Sequence, residues 1–336
     1  CCLITMDKKA VGRMSCNPAI GGLAKGQMVR EIDVLGGIMG LAADNTGLQF
    51  KMLNRSKGKS VWSPRAQVDK RMYEQYINDY INEQNGITIV EGEVVRLLLK
   101  NNTVAGVALR GGEKILARTV VLTCGTFLNG LVHIGERKVR AGRMGEQGAE
   151  GITEYLVSLG FAGGRLKTGT PTRLVAGSIN WDQLDIAVGD KNPTPFSYRT
   201  TEYYPPNVPW FTTQTNPSCH KLIRGSLSLS PMFSGDVSGV GPRYCPSIED
   251  KIVKFADKNR HQVFMEPMGY ADDSLMIYPN GLSTSLPTEV QYEFLRSIEG
   301  LEEVEIIVPG YAIEYDMFDP TQLKATLELK AVKNLY

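Results

Sequence analysis

Nothing in this sequence is long and apolar enough to cross a bilayer. A membrane helix needs roughly 20 apolar residues in succession, and the longest runs, such as Thr119–Leu122, are a fraction of that. No secretory h-region and no tract of single-sign charge is seen. Lys plus Arg total 37 against 36 Asp plus Glu, a net charge of +1, so no global basic field announces a polyanion and any such site must be local. Histidine is scarce, with only His133, His220 and His261, and no cysteine pair has Cys-x-x-Cys spacing, so no metal site is expected. Six cysteines would make a sparse disulfide framework for 336 residues. Free thiols in a reducing, cytoplasmic setting are the expectation. Against these absences, apolar residues make up 42% and charged residues 22%, enough for a buried core. Gly is abundant at 35, as tight turns or close approaches to a ligand require. The length suits two domains, or one large α/β domain with an insertion.

The pattern along the chain alternates between strand and helix. Residues 1–6 read as a strand, Asn17 to about Leu35 as a helix ended by Gly36-Gly37, and Met72–Gln84 as another helix. Short runs at Ile87–Glu91, Val94–Leu99, Val104–Leu109 and Lys114–Ala117, separated by Asn or Gly turns, predict a β-meander. It feeds a buried strand at Thr119–Thr123, expected in one sheet with residues 1–6. From about Lys167 the regular periodicity fades. Five prolines between Pro193 and Pro209 interleave with Tyr198, Tyr203, Tyr204 and Trp210, aromatics suited to packing or to base stacking. Helices are expected at Pro246–Arg260 and Val290–Ile298, and strands at Glu302–Val308 and Gln322–Leu329. The opening and closing residues are apolar, as if a longer chain had been cut inside elements. No Gly-x-Gly-x-x-Gly follows a strand, so a dinucleotide fingerprint is expected before residue 1. The expected class is α/β: a Rossmann-type cofactor-binding domain from residues 1–168 and 265–336, with an inserted α/β substrate domain at 169–264.

Two cysteines stand out. Cys16 precedes Asn17-Pro18, and Cys245 precedes Pro246. Proline is favoured as the first helical residue, which puts Cys245 at a helix cap and Cys16 one residue before one. Helix N-termini lower thiol pKa, and Arg243 adds positive charge beside Cys245. Each could equally be a small residue packed under a turn. Cys124, after a buried strand, reads as packed. Basic residues cluster at 51–71, including Lys57, Lys59 and Arg65, at 137–143 and at 165–173. Three local clusters in a neutral chain suggest a polyanionic partner, although charge runs are usually solvated faces.

The segment Gly241-Pro242-Arg243-Tyr244-Cys245-Pro246-Ser247-Ile248-Glu249-Asp250-Lys251-Ile252-Val253-Lys254-Phe255 resembles the signature of the GidA/MnmG family. Ser15-Cys16-Asn17-Pro18-Ala19-Ile20-Gly21-Gly22, Arg165–Pro171 and Pro309–Asp316 resemble the same family, and the likeness runs along nearly the whole chain. The resemblance implies that the Rossmann-type domain is FAD-binding and glutathione-reductase-like, and that the enzyme is FAD-dependent and works with the GTPase MnmE. It would add a carboxymethylaminomethyl or aminomethyl group to carbon 5 of the tRNA wobble uridine. Implied with it are NADH, 5,10-methylene-tetrahydrofolate as one-carbon substrate, glycine or ammonium as amine donor, and a homodimer. Cys245 would add to carbon 6 of uracil, and Cys16 would handle a one-carbon flavin adduct or a proton, or the two roles would be exchanged. Gly241–Phe255 would meet the nicotinamide cofactor. Val94, the region near Ala149, Gly125 and Thr126 would meet FAD, and Lys57, Lys59 and Arg65 would meet tRNA.

Three other readings remain open at this level. A folate- and FAD-dependent tRNA uridine methyltransferase would share two cysteines and the flavin fold. A generic flavin reductase would need neither basic clusters nor helix-cap thiols. A non-catalytic tRNA-binding fragment would need no thiol chemistry.

Overall fold

The computed structural model describes residues 1–235, 237, 239–241, 246–270 and 276–336. Strand Cys2–Thr5 pairs in parallel with Thr88–Glu91. The meander follows as expected, with Val94–Lys100, Thr103–Leu109 and Lys114–Leu116 forming an antiparallel three-stranded sheet. Asn101 and Asn102, at φ 51° and 56°, supply the left-handed pair that a two-residue hairpin needs. Residues 119–123 are not beside Cys2–Thr5. Val120 instead bridges Leu335 in parallel, and the Leu122 amide donates to the Tyr336 carbonyl at 2.8 Å. The single sheet expected there is thus two separate parallel pairs, each edge satisfying its amides with a different partner.

A second three-stranded sheet joins Ala19–Gly21, Ser63–Val68 and Gly47–Leu53. The helix expected from Asn17 begins only at Lys25 and ends at Val34. The reason is local. The Pro18 carbonyl accepts from the Val68 amide at 2.8 Å, which draws this segment into the sheet. Gly21 has φ +82°, and a Cβ there would lie 2.4 Å from the Pro64 carbonyl oxygen. Helix Lys70–Asn82 matches its expectation closely. Asp69 caps it, accepting from the Arg71 and Met72 amides.

The largest core lies under a six-stranded sheet in the order Asp185–Ala187, Trp210–Gln214, Gln262–Pro267, Met276–Asn280, Arg173–Val175, Ile306–Val308. Helices Pro217–Gly225, Ile248–Lys254 and Thr288–Arg296 supply Ile223, Ile248, Ile252, Phe294 and Leu295, all buried, against Val263 and Met265. Each such side chain contributes about 1.5–3 kcal/mol. The division expected at 264/265 falls inside strand Gln262–Pro267, so this sheet continues across it. The strand expected at Gln322–Leu329 is a 3-10 turn, Pro320–Gln322, followed by a single Leu323–Leu329 bridge. Leu327 at φ 65° breaks extended geometry there.

A four-stranded sheet joins Arg137–Arg140, Leu131–Ile134, Tyr311–Phe318 and Gly163–Thr170. The proline-rich stretch after residue 190 is irregular and is tied down by two carboxylates. Asp44 accepts from the Phe196 and Ser197 amides, and Asp33 accepts from the Ser197 hydroxyl and the Tyr198 amide. Phe196 is buried, and Tyr203 packs edge-on to Phe50. Tyr198 and Tyr204 are exposed.

Candidate active site

Cys16 sits before a strand rather than a helix, so the helix-dipole argument does not apply to it. Its surroundings come from elsewhere in the chain. The sulfur is 3.1 Å from the Tyr278 hydroxyl and 3.8 Å from the Thr170 hydroxyl. Its carbonyl accepts from Lys70 Nζ at 3.3 Å. Arg173 lies over the Tyr278 ring at 4.8 Å and donates to Thr170 Oγ1 at 2.9 Å and to the Pro171 carbonyl. Burial pushes the Tyr278 phenol well above its ordinary range, and the neighbouring Cys16 and Glu266 add to that. Tyr278 therefore keeps its proton and can present an O–H to the sulfur. Burial, then the charge of Arg173, pushes Lys70 down to about 8, with Cys16 acting in the opposite sense. The result is a half-buried thiol beside two cations and a protonated phenol. Lys70 reaches the Cys16 carbonyl, and Arg173 reaches the Thr170 hydroxyl and the Tyr278 ring that contact the sulfur.

The Cys245 segment, with Pro242, Arg243 and Tyr244, lies outside the described residues. Its two flanks are clear. Val240 bridges Leu166 in parallel, and Gly241 sits against the Lys167 side chain. On the far side Ser247, not Cys245, caps the helix, accepting from the Asp250 amide at 3.1 Å. The helix is Ile248–Lys254, shorter than the Pro246–Arg260 expected, because Phe255 leaves helical geometry at φ −122°. Strand Gly163–Thr170 serves both cysteine regions, with Lys167 against Gly241 and Thr170 at Cys16. Three residues of strand span roughly 10 Å.

Of the segment expected to meet a nicotinamide cofactor, Ile248, Glu249 and Ile252 are buried. Asp250 is within 3.5 Å of Lys167 Nζ, Lys251 donates to the Gly281 carbonyl, and Val253, Lys254 and Phe255 are exposed. Pro246 is partly buried. Glu249 Oε1 accepts from Thr284 Oγ1 and the Ser285 amide, and burial pushes this carboxyl up.

The residues expected at the adenine side are brought together. Val94 pairs with Leu109, Ala149 bridges Leu128, and the Glu93 carboxylate accepts from the Glu150 amide at 2.8 Å. Next to them is a cavity of about 220 Å³ lined by Leu122, Cys124, Gly125, Leu128, Ile152 and Phe318, among others. Gly125, at φ +57°, leaves open space where a Cβ would project. Thr126 donates to the Gly142 carbonyl at 2.8 Å. Complete ligand sites run from about 300 Å³ upward, so this cavity is smaller than one.

The expected tRNA contacts separate. Lys57 and Lys59 are exposed on the loop after strand Gly47–Leu53. Arg65 is not on that surface. It is 9% exposed, pairs with the buried Glu266 at 2.7 Å and lies over the Trp210 ring at 4.8 Å. The run therefore forms no single face, because Arg65 lies on strand Ser63–Val68, the middle strand of its sheet, whose residues from Arg65 to Val68 are all buried. Arg165 is likewise engaged, by Asp316 and Glu314. Strand Arg137–Arg140 is exposed. Sequence reading missed Tyr278 and the role of Lys70. Neither carries a local motif, and only the fold brings them to Cys16.

The family described as "Glucose inhibited division protein A" matches residues 1–336. The tRNA uridine 5-carboxymethylaminomethyl modification enzyme MnmG of Chlorobium phaeobacteroides is 52% identical over all of this chain, which covers 54% of that protein. Its Geobacter sulfurreducens namesake is 49% identical over 99% of the chain, covering 53% of that protein. Aquifex aeolicus GidA superposes with a TM-score of 0.94 at 49% identity, covering all of this chain and 57% of that one. The chain spans about half the length of the curated relatives it matches.

Proposed function

The chain belongs to the glucose inhibited division protein A family, and from that premise we propose that it forms part of an FAD-dependent tRNA-modifying enzyme. With the GTPase MnmE, the enzyme adds a carboxymethylaminomethyl or aminomethyl group to carbon 5 of the wobble uridine, in the cytoplasm. The observation that carries the proposal is the Cys16 thiol held by Tyr278 and Thr170 beside Lys70 and Arg173, in a chain about half identical to enzymes named for this modification.

Carbon 5 of uracil is a poor nucleophile until a thiolate adds to carbon 6 and forms an enolate. Cys245 is the proposed nucleophile. Cys16 is then the second thiol, moving a proton at carbon 5. Tyr278 orients its sulfur, and Lys70, near pH 8 in its titration, is suited to exchange that proton. Gly125 and Thr126, with the cavity beside Val94 and Ala149, are the proposed holders of FAD. When bound, FAD supplies the redox chemistry. The 241–255 segment is proposed to meet NADH, methylene-tetrahydrofolate to supply the one-carbon unit, and a homodimer to be the working form. The two-unit division stands as a proposal, with the insertion extended to about residue 308 by its continuous sheet.

The test uses the full-length protein. Cys245→Ser is expected to abolish modification while FAD stays bound. A 5-fluorouridine tRNA should trap a covalent complex with the native protein and with Cys16→Ser, but not with Cys245→Ser. Trapping through Cys16 reverses the two assignments. A product carrying a plain methyl group would favour a uridine methyltransferase.

A further inference from the structure

The loop that joins strands Gly47–Leu53 and Ser63–Val68 carries Arg55, Lys57 and Lys59 with no acid among residues 54–62, and its single aromatic is Trp62. The loop is well ordered by its own bonds. Asn54, at φ 61°, opens it, and its side chain donates to the Val61 carbonyl at 3.3 Å. The Lys57 amide donates to the Asn54 carbonyl at 2.9 Å, and the Val61 amide to the Gly58 carbonyl at 3.1 Å. Trp62 is fixed by its edge. Its indole N–H donates to the Lys57 carbonyl at 3.2 Å, and its own carbonyl accepts from Gln27 Nε2 at 3.0 Å. Trp62 is partly buried, and Arg55 and Lys59 lie over its ring at 5.6 Å and 6.0 Å from the centroid. Arg55 is also tethered, by Asp190 at 2.8 Å.

This loop stands at one end of the Cys16 strand. Gly21 pairs with Arg65, and the Gly22 amide donates to the Pro64 carbonyl at 2.9 Å, so the chain leaving Cys16 runs directly to the base of the loop. Five residues of extended chain from Cys16 to Gly21 cover at most about 17 Å. A few nucleotides of single-stranded RNA bridge such a gap.

We propose that Trp62 is a base-stacking platform for single-stranded RNA, a base displacing Lys59 from the ring, with Lys57 and Lys59 holding the flanking phosphates. The proposal rests on the tRNA-modifying reading above and deepens it by placing the nucleotides beside the reacting one on this loop. Cations interleaved with a fixed aromatic are what sequence-tolerant single-strand binding uses, because every base offers a π-face. The pre-formed loop lowers the ordering cost on binding. Trp62 is a binding residue here and takes no part in the chemistry.

The test measures binding of a fluorescent anticodon stem-loop RNA to the full-length protein across a salt series. Thermal unfolding verifies that each variant is folded. Stacking is worth roughly 1–3 kcal/mol per base, so Trp62→Ala should weaken RNA binding by about 5- to 150-fold. Trp62→Phe should keep most of the affinity, since it keeps a π-face. Lys57→Ala with Lys59→Ala should reduce the slope of log affinity against log salt by about 1.4, at about 0.7 per single-strand phosphate contact. Wild-type affinity in Trp62→Ala overturns the stacking platform while leaving the tRNA reading intact. An equal loss in the Ala and Phe variants also overturns it, because the indole would then matter only as a loop anchor. Failure of the wild-type protein to bind the stem-loop or whole tRNA overturns both readings.

Discussion

Removing Arg65 should unfold the protein more readily and leave RNA affinity nearly unchanged. The side chain bridges strand Ser63–Val68 to strand Gln262–Pro267 through Glu266, 2.7 Å away and 1% exposed. Asn280 Nδ2 gives Glu266 Oε1 a second donor at 3.1 Å, and the Trp210 ring supports the guanidinium. In Arg65→Met the volume is roughly kept but the Glu266 charge is left buried with only a neutral partner. Breaking a buried pair from one side costs about 3–5 kcal/mol. Losing the ring contact adds up to about 1–2 kcal/mol. Urea unfolding followed by tryptophan fluorescence reads this as a lower midpoint at unchanged slope. The double variant Arg65→Met with Glu266→Gln removes both charges and should recover more than half of the loss. A cost below about 1 kcal/mol, or a double variant no better than the single one, would refute the buried-pair reading. A large drop in RNA affinity at unchanged stability would return Arg65 to the nucleic-acid surface.

Lys70 gives a pH dependence with a definite sign. Its folded pKa of about 8 lies below the ordinary 10.5, so between those values the unfolded chain binds more protons and stability rises with pH. Below about pH 8 the whole penalty is present, at most about 3–4 kcal/mol. Lys70→Met should therefore raise stability at pH 7 and flatten the profile between about pH 8 and 10.5, as read by thermal unfolding. An unchanged profile in the variant would place the titration elsewhere. Gly21→Ala should destabilise by more than about 1 kcal/mol, because the new Cβ meets the Pro64 carbonyl and the Phe196 ring at a positive φ. Equal urea midpoints for the two proteins would show that this turn relaxes freely.

The repetitive parts of the fold were legible from the residues alone. The meander at 94–116 announced itself by short β-rich runs and Asn turns, and helix Lys70–Asn82 by its periodicity. The misreadings share a cause. Asn17-Pro18 and Asn216-Pro217 present the same cap-and-proline pair, yet only the second starts a helix. Pro18 is followed within four residues by Gly21 and Gly22, both at positive φ, and its carbonyl is claimed by a strand almost 50 residues away. Local propensity is a weak prior against such tertiary pairing. The candidate site divides in the same way. Cys16 was visible by its motif, but its partners Tyr278, Lys70 and Arg173 come from three distant segments, and no sequence spacing records their meeting. Arg65 belongs by charge to the same run as its exposed neighbours, because charge composition does not say which way a strand residue points.

The proposed function makes this chain part of an enzyme that modifies the wobble uridine. Nucleoside mass spectrometry of tRNA tests it directly, in cells lacking their own enzyme for this step and supplied with the full-length protein. The account predicts that carboxymethylaminomethyl or aminomethyl uridine returns with the wild-type protein and is absent with Cys16→Ser or Cys245→Ser. Unmodified wobble uridine with a folded, FAD-loaded wild-type protein in the presence of MnmE would contradict it.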